Sequence, residues 1–440
     1  MKRFGIIAAA FLTFAVIFPA CRQNAGDSIF DTVYYRPAFA GGFEITGMKD
    51  SCSRVIRVLS SWQEDSGHVR ELFIARNGEI PPEGFAGQVL KDSAMRIAAM
   101  SSSHIALLDL IGETDRVKAV SGMRFISNRN ILSRKDSIAD IGNEADADLE
   151  SLVSVRPDIV LLYGIRSSSA LEGRLANLGI PFIYIGEYLE ADPLGRAEWV
   201  VALSEITGCT GKGIKAFNRI AARYMALKSC LPEKSSRPEV MLNIPYGDIW
   251  YMAPANSAMT NLIRDAGAGY VFKENTTSRS VPIDMEEAFI LTSAADFWLN
   301  AGTPESFSQF LENHPEFAGT GCVSGKRVYS CDKRSTAGGG SDFWETGPAR
   351  PDLVLEDLIR IFHPEAALPL PEKEKAEGND GADKSDDGKK SGDKTDGTGD
   401  GKKSGNKDTT DEAGDGKKSG NKDTTDEAGD GLIFYYRIIP

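Results

Sequence analysis

Tyrosines, tryptophans and arginines recur where β-type runs give way to turns, a pairing that suits a flat, charged small molecule. Met123-Arg124-Phe125, Tyr163-Gly164-Ile165, Pro245 to Tyr251, Ser278-Arg279-Ser280, Asn300-Ala301-Gly302 and Ser341 to Trp344 are such segments, with Ser101 to His104 as a polar one. Aromatic faces stack on planar conjugated ligands, and a guanidinium offers fork donors to a carboxylate. Singly, each ring reads equally well as core or lid packing, and Arg124 and Arg279 as solvated surface arginines. As a set at strand ends they point to binding. The candidate ligand contacts are Ser102, Arg124, Phe125, Tyr163, Tyr246, Trp250, Arg279, Asn300 and Trp344. Nothing comparable points to catalysis, and no enzyme is expected. The sequence has no Gly-x-Ser-x-Gly turn and no phosphate-binding Gly-rich loop. His68, His104, His314 and His363 are scattered, with no pair at metal-ligand spacing, so neither metal nor cofactor is expected. Asp146 and Asp148 read as a helix cap with a solvated neighbour rather than as paired catalytic carboxylates.

The elements that must position these residues alternate in type. Residues 28–92 hold short β-type runs broken by Gly and Pro, such as Val33-Tyr34-Tyr35 and Val55 to Leu59, which predicts a small β-rich extension. From Arg96 strands and helices alternate, as in a parallel sheet covered by helices. Ser101 to Ser103 offers hydroxyl caps to a helix ending at Gly112. Asp148-Leu149-Glu150-Ser151 opens a short helix, Pro157-Asp158 breaks it, and the apolar run Ile159 to Tyr163 reads as a strand buried on both faces. Residues 194–231 contain no strand. Ile214, Phe217, Ile220, Tyr224 and Leu227 fall at helical spacing, which predicts a long helical link. The alternation then resumes over 232–371, closing with a helix from Pro351 to Phe362. The fold class is α/β, with two Rossmann-like lobes (93–193 and 232–371) joined by a long helix.

The chain's ends carry other information. Lys2-Arg3 followed by the apolar stretch Phe4 to Ala20 reads as an export signal, and Phe18-Pro19-Ala20-Cys21 resembles the lipobox of bacterial lipoproteins. Cleavage would leave Cys21 lipidated at the head of a short tether, residues 21–27, and several acyl chains would hold it stably in a membrane. Export permits disulfides, but five cysteines remain after Cys21, so at least one is free. Cys322 and Cys331 flank a turn-rich stretch that looks like a hairpin. Cys209 and Cys230 flank a helix about 28 Å long and should not pair. The net charge of −13 argues against nucleic acid as a partner. Residues 372–431 hold no large apolar side chain, with 18 acidic against 12 basic groups, and Gly399–Ala413 repeats as Gly414–Ala428. Such a segment cannot offset its ordering entropy and is expected to be a disordered insertion. The apolar run Leu432 to Pro440 should then return as a strand packed on the folded body, beside the N-terminal β extension.

Several motifs in order resemble the vitamin B12 and iron-siderophore binding proteins of ABC importers. They are Arg96 to His104 with Leu110-Ile111-Gly112 and Asp115-Arg116-Val117, then Asp148 to Val160, Leu178-Gly-Ile-Pro181 and Asp265-Ala-Gly267. The resemblance spans roughly residues 95–365. It implies two α/β lobes with the ligand in the cleft between them, and a ferric siderophore, haem or corrinoid as that ligand. It also implies ABC permease subunits as partners, docked through one glutamate per lobe. Glu150 matches the first position and Glu287 the second, with Glu286 adjacent. A helix N-terminus also favours Glu150 on charge grounds alone. A monomer lipid-anchored in the periplasm or cell envelope is the expectation. The alternative is a surface-exposed scavenging or adhesion lipoprotein without a permease.

Overall fold

A computed structural model of the chain describes residues 29–59, 69–164, 170–231, 237–369 and 431–438. The export signal, Cys21, the tether and the repeat segment up to residue 430 lie outside the described residues. Two five-stranded sheets with helices around them form the two lobes, and a third sheet precedes them. In the first lobe the strand order is Phe182–Tyr184, Ile159–Leu162, Ile97–Ala99, Val117–Val120, Ala139–Asp140, all parallel. Every residue of Ile159–Leu162 is buried, as its continuous apolar run requires. The chain switches direction of winding between Ile97–Ala99 and Ile159–Leu162. Crevices at such switch points, outside the carboxyl ends of the strands, are where open α/β sheets take ligands. The second lobe has the order Gly269–Tyr270, Glu239–Leu242, Phe297–Leu299, Val328–Ser330, Tyr436–Arg437, with its switch between Glu239–Leu242 and Phe297–Leu299. Asn243 and Asn300, one at the end of each switch strand, both adopt left-handed backbone (φ 66° and 56°), which asparagine tolerates better than most residues.

Local chemistry sets the element ends. Ser101 caps the helix Ser102–Leu110, Asp148 caps Leu149–Ser154, and Asp284 caps Met285–Ala294 through its contact with the Glu287 N–H. The link runs through Pro193–Glu198 and Val200–Ile206 into the long 20-residue helix Thr210–Ser229, with Gly208 left-handed (φ 75°) just before that helix.

The N-terminal sheet runs Thr32–Tyr35, Phe43–Gly47, Arg54–Val58, Arg70–Ala75, Gln88–Lys91 in spatial order. A buried carboxylate fastens it to the link. Glu198 accepts the Tyr35 hydroxyl at 2.7 Å and the N–H groups of Ala38, Phe39 and Ala40 at 2.8 Å each. Phe43 packs on Trp199 at 4.7 Å beside it.

Two expectations are corrected. Cys322 and Cys331 do not flank a hairpin, since Gly321–Ser324 is a helical turn leading into the strand Val328–Ser330, and both thiols are free. Cys209 and Cys230, either side of the 20-residue helix, are free as well. The C-terminal segment does form a strand, but its neighbour is Val328–Ser330 in the second lobe, antiparallel, rather than the N-terminal extension. Asp357 fixes it there by accepting the N–H groups of Ile433, Phe434 and Tyr435 at 2.8, 2.7 and 3.3 Å.

Candidate functional site

The first lobe's switch point carries Ser101 to His104 on one side and Tyr163 on the other. Ser102 is half-buried there. Ser103 donates to Glu187 at 2.5 Å, and His104 Nε2 lies 3.7 Å from the other Glu187 oxygen. Burial would push the Glu187 carboxyl up, but the neighbouring His104, Arg196 and Ser103 outweigh it and hold the group below the usual carboxylate range. The Tyr163 ring packs on Tyr188 at 4.5 Å, tilted by 35°, with His104 at 6.2 Å. Burial pushes its phenol up to about 12, so it stays protonated at neutral pH.

Near these residues lies a pocket lined by the link and the second lobe. Pro193 and Arg196 come from the start of the link, Met259 from the helix Ala258–Asp265, and Phe343 and Trp344 from the segment before the last helix. It encloses only about 40 Å³, against the several hundred Å³ of ordinary ligand pockets. The pocket is therefore too small in this conformation to enclose a ligand of ordinary size.

Side-chain and backbone contacts hold the lobes together at the pocket's edge. The Ser127 N–H donates to Glu345 at 2.7 Å, its hydroxyl to Asp342 at 3.3 Å, and the Thr336 hydroxyl to the Arg124 carbonyl at 2.9 Å. Asp342 is paired with Arg334 at 2.7 Å. Asn261 adds a donor to the Ala191 carbonyl at 2.7 Å on the link side. Burial pushes the Glu345 carboxyl up to about 7, the Asp342 charge adds to this, and the N–H groups of Ser127 and Asn128 oppose it. A carboxyl raised in the folded state stabilises the fold fully only below its ordinary range near 4.3, and that contribution is lost as pH rises through about 7. At about 1.4 kcal/mol per unit the effect is at most ~4 kcal/mol. Melting temperature should thus fall between pH 5 and 8, and Glu345→Gln should flatten that slope. A slope unchanged in the variant would remove Glu345 from the account.

The candidate contacts scatter around this geometry. Trp344 lines the pocket and is 56% exposed. Arg124 and Phe125 are exposed at the lobe contact, with the guanidinium 4.4 Å over the ring. Asn300 is buried, accepting the Tyr435 hydroxyl at 3.1 Å and lying 3.4 Å from Asn243. Tyr246, 84% exposed, and Arg279 stand on outer turns away from the pocket lining. Trp250 is corrected to a core residue. It is fully buried, its indole N–H donates to the Leu242 carbonyl at 2.9 Å, and its ring packs on Trp298 and Phe317. Trp250–Met252 pairs with Val281–Ile283, and strand alternation turns Trp250 inward while Tyr251 faces out. Glu150 and Glu287 are both exposed in first helical turns. Cys21 lies outside the described residues.

Sequence reasoning missed Arg196, Met259, Glu187 and Glu345. The one available signal was an arginine within the otherwise apolar run that follows Asp192.

A family model described as periplasmic binding protein matches residues 97–335. An uncharacterized lipoprotein of Methanocaldococcus jannaschii is 25% identical over 312 residues, covering 67% of this chain and 73% of its own. A periplasmic binding protein from Veillonella parvula superposes with a TM-score of 0.51 at 13% identity, covering 69% of this chain and 97% of that one. A periplasmic heme binding protein from Pseudomonas aeruginosa gives 0.49 at 16% identity, over 62% and 94%.

Proposed function

The chain belongs to the family of periplasmic binding proteins, and on that premise we propose that it is the solute receptor of an ABC importer. It is held to a membrane by acyl chains on Cys21, in the periplasm or wider cell envelope. Its cargo is a ferric siderophore, haem or corrinoid. The observation that supports this best is the close approach of the two lobes, where Ser127 meets Glu345 and Thr336 meets Arg124, beside a pocket with Arg196 of the link on one side and Met259 and Trp344 of the second lobe on the other. A largely apolar pocket with one fixed charge suits a bulky conjugated chelate better than a sugar or a free amino acid, which need many hydrogen-bonding groups. The lipoprotein relative supports the anchor. Titration against haemin, cyanocobalamin and a set of ferric siderophores should give at least one tight complex. Binding of a bare metal ion or a peptide, with none of these, would sink the cargo assignment.

Delivery calls for docking surfaces clear of the cleft, and the exposed Glu150 and Glu287 are the residues to carry it. Replacing both with Ala should weaken binding to the permease at least tenfold, while cargo affinity stays within a few fold. Unchanged permease binding would remove both glutamates from docking, and absence of permease binding in the unaltered protein would favour a scavenging lipoprotein instead.

A further inference from the structure

We propose that the N-terminal sheet is a working part of the receptor. Through Glu190 and Glu198, its segment 35–42 sets the pose of the link helix Pro193–Glu198, and with it the grip of the lobes on cargo. This rests on the solute-receptor reading and deepens it. The sheet lies outside residues 97–335, the stretch that matches the family of periplasmic binding proteins, so its role is read from its own contacts. The helix it touches is six residues long, well below the roughly 12–15 at which an isolated helix becomes even marginally stable. Tertiary contacts must therefore decide where that helix sits.

On one side those contacts come from the sheet. Glu198 is fully buried, and segment 35–42 occupies both its oxygens. One takes the Tyr35 hydroxyl and the Ala38 N–H, the other the N–H groups of Phe39 and Ala40. Successive backbone donors fix a carboxylate in direction as well as place, and charge-assisted bonds are the strong ones. Earlier in the link, Glu190 accepts the N–H groups of Gly41 and Gly42 at 3.0 and 2.9 Å and the Trp199 indole at 3.0 Å. Between the two carboxylates, Gly195 lies so close to the segment that an added Cβ would sit 2.9 Å from the Phe39 carbonyl oxygen. The other side of the helix meets the second lobe. At 3.6 residues per turn, Gly195 and Glu198 share one face and Pro193 and Arg196 the opposite one. Pro193 and Arg196 line the pocket with Met259, and the Ala191 carbonyl just before the helix accepts the Asn261 amide at 2.7 Å. A short helix held this way carries any shift of its sheet side to its pocket side. Glu190 and Glu198 act on cargo only through that helix, which makes them positioning residues.

The test compares variants of the full chain that loosen the sheet at two places. Glu198→Gln keeps the size of the side chain but turns an NH2 toward backbone donors, and Tyr35→Phe removes a single donor as the milder change. Phe73→Leu is the control. It thins the separate small core of Phe30, Val55 and Phe73 on the other face of the sheet, which has no part in the link. Haemin and cyanocobalamin are the probes, and spin labels on the two lobes measure their separation without any probe. Glu198→Gln should quicken probe release at least tenfold and Tyr35→Phe about threefold, with association rates within twofold. Phe73→Leu should leave both rates within twofold, although its melting temperature falls. The spread of interlobe distances should widen in Glu198→Gln and not in Phe73→Leu. Should Glu198→Gln fail to fold, the same comparison is made with Tyr35→Phe. Release that quickens equally in the control means that general stability is responsible, and the proposal falls. Unchanged release and an unchanged spread in both link-facing variants reduce the sheet to a scaffold. Should neither probe nor any ferric siderophore bind, the cargo assignment fails, and the interlobe spread alone decides the role of the sheet: equal widths in Glu198→Gln and Phe73→Leu overturn it.

Discussion

A chain that stops at Gly431 is expected to lose its second lobe: the melting temperature should fall by more than 10 °C, or the protein should become insoluble. The segment removed is short, but Leu432, Phe434, Tyr435 and Ile438 are all buried, two of them completely. Truncating even one large core side chain costs roughly 2–5 kcal/mol, and here four leave together with an edge strand. The loss would reach further. Asp357, its carboxyl already pushed up to about 6 by burial against the opposing N–H groups of Phe434, Ile433 and Tyr435, would be left with none of the three. The Val328–Ser330 edge would be bare, and a bare sheet edge invites aggregation. Phe343, packed against Phe434 and Tyr435 at 6.0 and 5.5 Å, would lose its support on the pocket wall. Deleting 375–428 instead should shift the melting temperature by no more than a few degrees. That stretch has no large apolar side chain to bury, and each doubling of loop length changes closure entropy by only about 0.6 kcal/mol. Circular dichroism melts of both truncations decide the matter. A chain ending at Gly431 that melts like the full one would reduce the segment to a passive tail.

The C-terminal strand also marks how far the sequence could be read. Nine residues, mostly apolar, after sixty without a large apolar side chain announce that they must pack somewhere. Which edge they join depends on Asp357 and Val328–Ser330, about 75 and 108 residues away, and no local pattern encodes that. The same division runs through the molecule. Ile159–Leu162 was legible because a continuous apolar run fits a strand buried on both faces, and Ser101 and Asp148 were legible because capping is local chemistry. The long helix of the link was legible from its apolar spacing, while the left-handed turn at Gly208 before it was not. Trp250 was misplaced because pairing with Val281–Ile283 decides which way a strand faces. The site suffered most. Its pocket joins Arg196 of the link to Met259 and Trp344, which are about 60 and 150 residues further along the chain, so it exists only after the second lobe has folded against the link.

The second large effect concerns lobe closure, and it should come from one methyl group. Gly340 passes so close to Phe125 that an added Cβ would sit 2.0 Å from its carbonyl oxygen and 2.4 Å from the carbonyl carbon. At Gly338 the corresponding distance to the Arg124 oxygen is 2.3 Å. In both cases the obstacle is backbone, which cannot rotate aside as a side chain would. Gly340→Ala must therefore push the segment 336–345 off residues 124–127, and the contacts from Ser127 to Glu345 and from Thr336 to Arg124 go with it. Those groups reach water when the lobes separate, so stability should drop by only a few degrees. Cargo retention should suffer far more, because a ligand in a cleft that cannot close loses part of its wall. Dissociation is expected to quicken at least tenfold, with spin labels on the two lobes reporting a wider separation. Gly339→Ala is the control. Its left-handed backbone (φ 86°) strains any side chain, yet an added Cβ meets nothing within 4 Å. If Gly339→Ala releases cargo as fast as Gly340→Ala, loop strain is responsible and the close approach of the lobes is not. If only Gly338→Ala and Gly340→Ala do so, the glycines are there to let two backbones meet, and closure of this cleft is set by their lack of a Cβ.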